Sequence, residues 1–267
     1  MTLTASHRLS VRPAWRYTAR QAAWAVVDMI FPPQCGGCGK EGQRFCAACR
    51  ASLAYLPAPV CEHCGFPLRA GEMLRCASCL RQPTPALASV RSVAFFEGPL
   101  QQALHRLKYK RDIILADALA VLLCEAWPAY GFAADLVVPV PLSAQRMRER
   151  GYNQAGLLAD AFAALMGLPY TPAGAARFRH TASQVGLSAH ERQANVAGAF
   201  RGRTERVADK AVILVDDVYT TGATLNACAE ALLAAGAVRV WGFTLGRAHS
   251  LSYAGSRRAE KSGSVAR

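Results

Sequence analysis

The chain has 267 residues, of which 52% are hydrophobic and 18% are charged, and its formal net charge at pH 7 is +13. This balance excludes a largely disordered chain, and the length predicts one domain of ordinary size joined to a smaller module. The basic charge makes nucleic acids, phosphorylated metabolites and anionic membrane surfaces candidate partners without choosing among them.

Residues 1–32 combine scattered basic side chains with a short apolar run. The run, residues 22–27, ends at Asp28 and is far shorter than the ~20 apolar residues that span a bilayer. It is followed by Pro32 and Pro33, not by a small-residue cleavage site. We therefore predict a basic amphipathic helix that packs on the protein, with a targeting peptide as the alternative, and no transmembrane segment.

Residues 33–82 hold four Cys-x-x-Cys pairs, which account for most of the cysteines. Two such pairs supply the four thiolates of a closed structural zinc site. Glycine follows the first and third pairs, so the segment repeats, and we predict a double zinc ribbon with two zinc ions bound by sequential pairs. Interleaved pairing stays open. The predicted metal ligands are Cys35, Cys38, Cys46, Cys49, Cys61, Cys64, Cys76 and Cys79.

A disulfide framework, an iron centre of four thiolates and a redox dithiol are the alternatives for these cysteines. No secretory signal accompanies them, adjacent Cys-x-x-Cys bridges make poor cross-links, and four motifs in one short segment favour metal. His63 lies inside a pair and is predicted to face solvent, with a role as a metal ligand as the alternative. Cys124 and Cys228 lie on apolar helical stretches and are predicted to be buried free thiols.

Prolines at positions 83 and 85 mark a linker, after which apolar strands alternate with helices over residues 83–248. This alternation predicts an α/β fold with a mostly parallel sheet covered on both faces. Residues 249–267 are polar and basic and are predicted to form a disordered tail. The strands are expected at 90–96, 134–142, 211–215 and 238–245, and the helices at 100–108, 113–127, 151–166 and 221–235.

The residues that indicate chemistry lie where a predicted strand meets a helix. Asp216 and Asp217 follow the apolar strand, and a run of hydroxyl and small residues comes next. Ligands of parallel sheets bind beyond the carboxyl ends of the strands, and the free N–H groups of a helix N-terminus attract phosphate. Carboxylates instead hold sugar hydroxyls and, through water, a divalent cation. The segment therefore predicts a site for a phosphorylated sugar.

This segment resembles the signature of the type I phosphoribosyltransferases, which is a hydrophobic strand, two acidic residues and a Thr/Gly-rich phosphate loop. It departs from the signature at Tyr219, where a small aliphatic residue is commoner, without altering the expected phosphate or ribose contacts. The resemblance implies that phosphoribosyl pyrophosphate binds with Mg²⁺ and that Asp216 and Asp217 hold its ribose hydroxyls. It assigns the 5′-phosphate to Thr220, Thr221, Gly222, Ala223 and Thr224.

The whole combination resembles the ComF family, also called the GntX-like or competence protein F family, over about residues 30–247. The resemblance is carried by the cysteine pairs, Leu-Lys-Tyr-Lys at 107–110, Val-Pro-Val-Pro at 138–141, Arg-Gly-Tyr-Asn-Gln at 150–154 and the phosphate loop. It implies a double zinc ribbon joined to a phosphoribosyltransferase domain. It also implies a link, in several bacteria, to the handling of incoming single-stranded DNA during transformation.

Further binding residues follow from this resemblance. The loop after residues 138–141 is expected to bind pyrophosphate through Arg146, Arg150 and Asn153. Lys108, Lys110 and Arg111 extend this anion pocket, contribute to a nucleic-acid patch or are ordinary surface residues. Residues 179–200 form a long polar connection and are predicted to be a lid that excludes water from an oxocarbenium-like transition state. The lid residues expected to face the ligand are Thr181, Gln184, Arg192 and Asn195.

Two functional hypotheses follow. The first is an enzyme, a Mg²⁺-dependent phosphoribosyltransferase whose acceptor the sequence does not identify. The second is a non-catalytic module that keeps the phosphoribosyl pocket, while its ribbons and basic surface bind single-stranded DNA and proteins of the competence machinery. We expect a cytoplasmic location, with association to the inner face of a membrane as a compatible addition.

Overall fold

The computed structural model describes residues 15–69, 74–81, 86–179 and 196–249, with the side chains described from residue 17 onward. The helices are α1 (Trp15–Ile30), α2 (Ala47–Ala51), α3 (Ala77–Leu80), α4 (Gly98–Tyr109), α5 (Leu115–Ala126), α6 (Ala144–Arg150), α7 (Gln154–Met166), α8 (Thr204–Val207) and α9 (Ala223–Ala234). The strands are β1 (Ser89–Phe95), β2 (Leu136–Pro139), β3 (Ala175–Arg177), β4 (Phe200–Gly202), β5 (Ala211–Tyr219) and β6 (Arg239–Arg247).

The centre of the fold is a four-stranded sheet in the order β1, β6, β5, β2, and every pair in it is parallel. Its strands are short apolar runs because both faces of the sheet are covered. Val212 and Leu214 belong to a cluster that includes α9, whereas Ile213 and Val215 pack with α4, α5 and α7. The predicted α/β fold with a mostly parallel sheet is confirmed.

The structure differs from the predicted elements in two places near the sheet edge. The basic stretch after Val-Pro-Val-Pro is the helix α6, which begins after Ser143 and ends at Gly151. Its sequence has no apolar stripe to signal a helix, and the Ser143 hydroxyl instead caps it by accepting from the Arg146 N–H at 3.3 Å. Strands β3 and β4 form a separate antiparallel pair that is too short for a sequence pattern.

Helix α1 packs on the protein through a face that carries both aromatic and charged side chains, since Tyr17, Arg20 and Trp24 are partly buried. Arg20 forms ion pairs with Asp117 at 2.8 Å and with Asp160 at 2.6 Å, while Met29 and Ile30 are 85% and 69% exposed. The predicted helix is thus held by ion pairs with the buried Asp117 of α5 and the partly exposed Asp160 of α7, while part of its apolar side stays exposed. None of the described helices is long and apolar enough to cross a membrane.

Several predictions concern residues outside the described ranges. These are the first part of the basic N-terminal segment, the linker prolines, the greater part of the predicted lid and all of the predicted tail except His249. His249 itself stacks on the Phe95 ring, with the ring centres 4.3 Å apart.

Candidate functional site

The cysteines form two groups of four, composed of sequential pairs as predicted. In the first group the Cys35 and Cys49 sulfurs are 3.6 Å apart, and in the second the Cys64 and Cys76 sulfurs are 3.7 Å apart. A tetrahedral site with Zn–S bonds of about 2.3 Å requires sulfurs about 3.8 Å apart, whereas a disulfide requires about 2 Å. Both groups therefore fit a structural zinc ion, and none of the ten cysteines forms a disulfide.

Backbone N–H groups point at the sulfurs in both groups. The Cys46 nitrogen lies 3.3 Å from the Cys35 sulfur, and the Cys76 nitrogen lies 3.4 Å from the Cys61 sulfur. Such donors stabilise thiolates. The glycine after each first pair adopts a positive φ, 79° at Gly39 and 68° at Gly65, as the sequence predicts.

The second ribbon, residues 61–79, is anchored on the edge of the sheet. The Val90 nitrogen donates to the His63 carbonyl at 2.6 Å, and Arg91 donates to the Glu62 carbonyl at 2.9 Å. His63 is only 9% exposed and lies outside the cysteine group. The prediction that His63 faces solvent is therefore wrong, because docking on β1 buries it.

The predicted phosphate loop lies at the carboxyl edge of the sheet. Strand β5 extends beyond its predicted end and includes Asp216 and Asp217, and α9 begins directly after the loop. Gly222 caps α9 with a φ of 81°, and a Cβ atom there would lie 2.4 Å from the Tyr219 hydroxyl oxygen. The turn therefore requires glycine, and it leaves the first N–H groups of α9 without helical partners.

A cleft of about 440 Å³ opens over this edge. The loop contributes Thr220, Gly222 and Thr224, and residues 140–142 after β2 form part of its wall. Cations outnumber carboxylates in the cleft, which favours a ligand with several negative charges. The charged residues that line it are Lys108, Arg146, Arg150, Arg177, Asp216 and Asp217.

The two neighbouring carboxyl groups have opposite tendencies. Burial, and then the charge of Asp217, raises the pKa of Asp216 well above its usual range. Burial also disfavours the Asp217 carboxylate, but its ion pair with Lys108 outweighs this and lowers the pKa of Asp217. Asp217 thus keeps its negative charge while Asp216 favours the neutral acid.

We expect Asp216→Asn to raise the free energy of unfolding of the ligand-free protein at pH 7. The pKa of Asp216 is higher in the folded protein than in the unfolded chain. Its favourable contribution to the free energy of unfolding is therefore complete only below the pKa of the unfolded chain, about 4. That contribution is lost as the pH rises through the pKa of the folded protein. Urea unfolding between about pH 4 and pH 8 measures the effect, which grows with pH. Asp217→Asn is the matched comparison and should destabilise, because it leaves Lys108 unpaired; equal destabilisation by both variants would contradict this account.

Arg146 and Arg150 both line the cleft because α6 places them one turn apart on one face. Arg150 donates to the Gln154 side chain at 2.7 Å, and its guanidinium lies 5.2 Å from the centre of the Tyr109 ring. These contacts fix its orientation towards the cleft.

Other predicted binding residues have different surroundings. Asn153 caps α7, and its amide donates to the Val140 carbonyl at 2.9 Å, so it braces the cleft wall and is not among the lining residues. Thr221 accepts from the Ala223 N–H at 3.4 Å within the loop. The lid residues Thr181, Gln184, Arg192 and Asn195 lie outside the described ranges.

Sequence reasoning missed Arg177, which reaches the cleft from β3. Burial, and then the charge of Arg146, lowers its pKa, while Asp216 acts in the opposite direction. Its guanidinium lies 5.4 Å from the centre of the Phe200 ring. A lone arginine in a three-residue strand belongs to no motif, so no local pattern could have indicated it.

Comparison with known families agrees with this architecture. A family model described as a double zinc ribbon domain matches residues 26–80, and one described as a phosphoribosyl transferase domain matches residues 149–261. The protein is thus a double zinc ribbon joined to a phosphoribosyltransferase-type domain.

Its relatives define the family more narrowly. DNA utilization protein YhgH of Salmonella typhimurium is 36% identical over 74% of this chain and 88% of the relative. Competence protein F of Haemophilus influenzae is 31% identical over 78% and 88%, and competence protein ComFC of Bacillus subtilis is 28% identical over 77% and 85%. The chain belongs to the ComF family, as the sequence predicts.

Proposed function

We propose that the cleft binds phosphoribosyl pyrophosphate with Mg²⁺ and that the protein transfers the ribosyl 5′-phosphate to an acceptor. The observation that carries this proposal is one junction: Asp216 and Asp217 lie near the end of β5, two residues before the phosphate loop, and a cluster of cations lines the same cleft. The phosphoribosyl transferase family match supports it. The competence proteins among its relatives support a link between this activity and the handling of incoming DNA.

The cleft offers a separate subsite for each part of this ligand. The 5′-phosphate would lie on the loop at the N-terminus of α9, where N–H groups and the helix dipole favour an anion. The ribose hydroxyls would bind the carboxyl groups of Asp216 and Asp217. The pyrophosphate would be bound by the charged groups opposite, Lys108, Arg146, Arg150 and Arg177.

Transfer would exchange two bonds at C1 of the ribose. The bond from C1 to the pyrophosphate oxygen breaks and its electron pair leaves on pyrophosphate, while a lone pair of the acceptor forms the new bond with inversion. The three arginines would stabilise the charge that develops on the leaving group. When bound, Mg²⁺ supplies further neutralisation of the pyrophosphate oxygens, and the two carboxyl groups are of the type that would hold it through water.

Pyrophosphate release distinguishes an enzyme from a binding module. Zinc-loaded protein is incubated with radiolabelled phosphoribosyl pyrophosphate, Mg²⁺ and a panel of nitrogen nucleophiles, including purine and pyrimidine bases. We expect acceptor-dependent release of pyrophosphate that the Asp216→Ala, Asp217→Ala variant loses. Pyrophosphate release that is undiminished in the variant would exclude this cleft as the catalytic site. Tight binding of phosphoribosyl pyrophosphate without release for any acceptor would favour the non-catalytic module.

A second candidate function is binding of single-stranded DNA, for which one surface is suited. Phe178 is 60% exposed, and the Arg201 guanidinium lies 5.1 Å from the centre of its ring. Exposed aromatic rings beside arginines stack nucleic-acid bases, and Arg203 and Arg206 are exposed nearby in the chain. The names of the relatives, which include DNA utilization and competence proteins, favour the same function.

We expect an oligonucleotide to bind with an affinity that falls steeply with salt, since phosphate contacts release counterions. Phe178→Ala should weaken binding by about 1–3 kcal/mol, the usual contribution of one stacked base, without changing the salt slope. Arg201→Ala should reduce that slope by about one. Fluorescence anisotropy measures both, and an absence of binding at low salt would exclude this function.

A further inference from the structure

Arg247 is a buried cation that connects the second ribbon to the sheet. It ends β6 and is only 6% exposed. Its guanidinium donates to the Cys64 carbonyl and, at 3.4 Å, to the Cys64 sulfur. The Phe66 ring, also in the second ribbon, lies 5.1 Å from the guanidinium.

A buried guanidinium requires a compensating negative charge. Among the described residues, no carboxylate forms an ion pair with Arg247. Four thiolates around one Zn²⁺ carry an excess of negative charge, so the second cysteine group would supply the counter-charge of Arg247 when zinc is bound. A guanidinium with such a counter-charge is expected to respond to loss of the metal.

The other side of Arg247 faces the phosphate loop. Tyr219 is paired with Arg247 in the β5–β6 register, and the guanidinium lies 4.5 Å from the centre of the Tyr219 ring. Tyr219 lines the cleft and directly precedes Thr220, and its hydroxyl occupies the space beside Gly222. The ring, which is only 9% exposed, thus supports the turn that begins α9.

Among the described residues, the first ribbon, residues 35–49, has no such connection to the phosphate loop. Its described contact with a guanidinium is the bond from Arg106 to the Cys35 carbonyl at 3.2 Å, and Arg106 also pairs with Asp112 at 2.8 Å. Cys49 and Gly37 of this ribbon pack near Pro99 at the start of α4. The two ribbons therefore have the same ligands but different neighbours, so the first can serve as an internal control for the second.

We propose that Arg247 is a positioning residue that couples the metal state of the second ribbon to the phosphate loop through Tyr219. Zinc in that ribbon holds Arg247, Arg247 holds the Tyr219 ring, and the ring holds the turn at Gly222 in its ligand-binding form. Coupling of this kind is reciprocal, so a ligand on the loop also strengthens retention of zinc in the second ribbon. The proposal rests on phosphoribosyl pyrophosphate being the ligand of the cleft.

The test is site-resolved zinc release from the zinc-loaded full chain. The protein is exposed to TPEN, a chelator with little affinity for Mg²⁺, and to iodoacetamide, which alkylates each cysteine that loses its metal. Peptide mapping then gives separate rates for the two ribbons, with and without phosphoribosyl pyrophosphate and Mg²⁺. We expect the ligand to slow alkylation of the second ribbon by at least about five-fold relative to the first, the lower end of usual couplings between sites.

Variants identify the path of the coupling. Tyr219→Val removes the ring without touching the cysteines and should abolish the selective protection, whereas Tyr219→Phe keeps the ring and should retain it. Arg247→Met should abolish protection and accelerate zinc loss from the second ribbon in the free protein. Arg106→Met is the matched control at the first ribbon and should leave the protection of the second unchanged.

The outcomes separate this proposal from the function on which it depends. Suppose that calorimetry shows binding of phosphoribosyl pyrophosphate. The coupling would then be overturned, with the proposed function intact, if the ligand protected the cysteines of both ribbons equally. Protection of the second ribbon that survives in Tyr219→Val would have the same meaning. An absence of binding would overturn both. If Arg247→Met does not fold, the wild-type protein and the two Tyr219 variants still decide the question.

Discussion

The Asp216→Asn, Asp217→Asn variant should bind phosphoribosyl pyrophosphate about 10- to 100-fold more weakly than the wild-type protein. A hydrogen bond to a charged group contributes about 1.5–3 kcal/mol, and about 1.4 kcal/mol corresponds to a factor of ten in affinity. The variant removes the acceptor charge of Asp217 and leaves Lys108 without its ion-pair partner. Equilibrium dialysis with radiolabelled ligand and Mg²⁺ measures the change.

The matched control is Asp209→Asn. Asp209 is exposed, precedes the opposite end of β5 and has a φ of 57°, a conformation that asparagine tolerates. Its substitution changes the net charge by one unit without touching the cleft and should leave binding unchanged. If the double variant bound as tightly as this control, the carboxyl pair would not be part of the site.

Loss of one cysteine from a cluster should remove one zinc ion and unfold that ribbon. Structural zinc contributes roughly 10–16 kcal/mol of apparent binding free energy to the folding of small zinc domains, and the ribbons have few buried residues apart from their cysteines. We expect native mass spectrometry to find two zinc ions in the wild-type chain and one in Cys61→Ser. Cleavage within residues 61–79 by a protease should accelerate at least tenfold in this variant, since several kcal/mol of local stability are lost.

Cys124→Ser is the control for this experiment. Cys124 lies on α5, outside both groups of four, so its variant should retain two zinc ions and the protease resistance of the wild-type ribbons. A wild-type chain that contains iron or disulfides in place of zinc would contradict the assignment of the metal.

The sequence was informative wherever function requires a fixed local pattern. Cysteine spacing predicted both four-cysteine groups, because each Cys-x-x-Cys pair binds a metal from one tight turn. The strand, acidic pair and Thr/Gly loop predicted the carboxyl edge of β5 as the site, since this order of residues determines which groups meet there.

The parts of the site that arise from tertiary contacts were less accessible. Lys108 was ambiguous as a helical lysine until α4 placed it against Asp217. Arg177 reaches the cleft from a strand too short to predict. The sequence predicts that Tyr219 is a neutral departure from the family signature, whereas its ring contacts Arg247 and the turn at Gly222. Each of these depends on residues distant in the chain, which no local pattern reports.

The central claim is that the cleft binds phosphoribosyl pyrophosphate, and calorimetric titration of the zinc-loaded protein tests it most directly. We predict one binding site per chain with a dissociation constant in the micromolar range, an affinity that depends on Mg²⁺, and loss of the signal in the Asp216→Asn, Asp217→Asn variant. A protein that contains two zinc ions and unfolds cooperatively, but binds no phosphoribosyl pyrophosphate with or without Mg²⁺, would contradict the account.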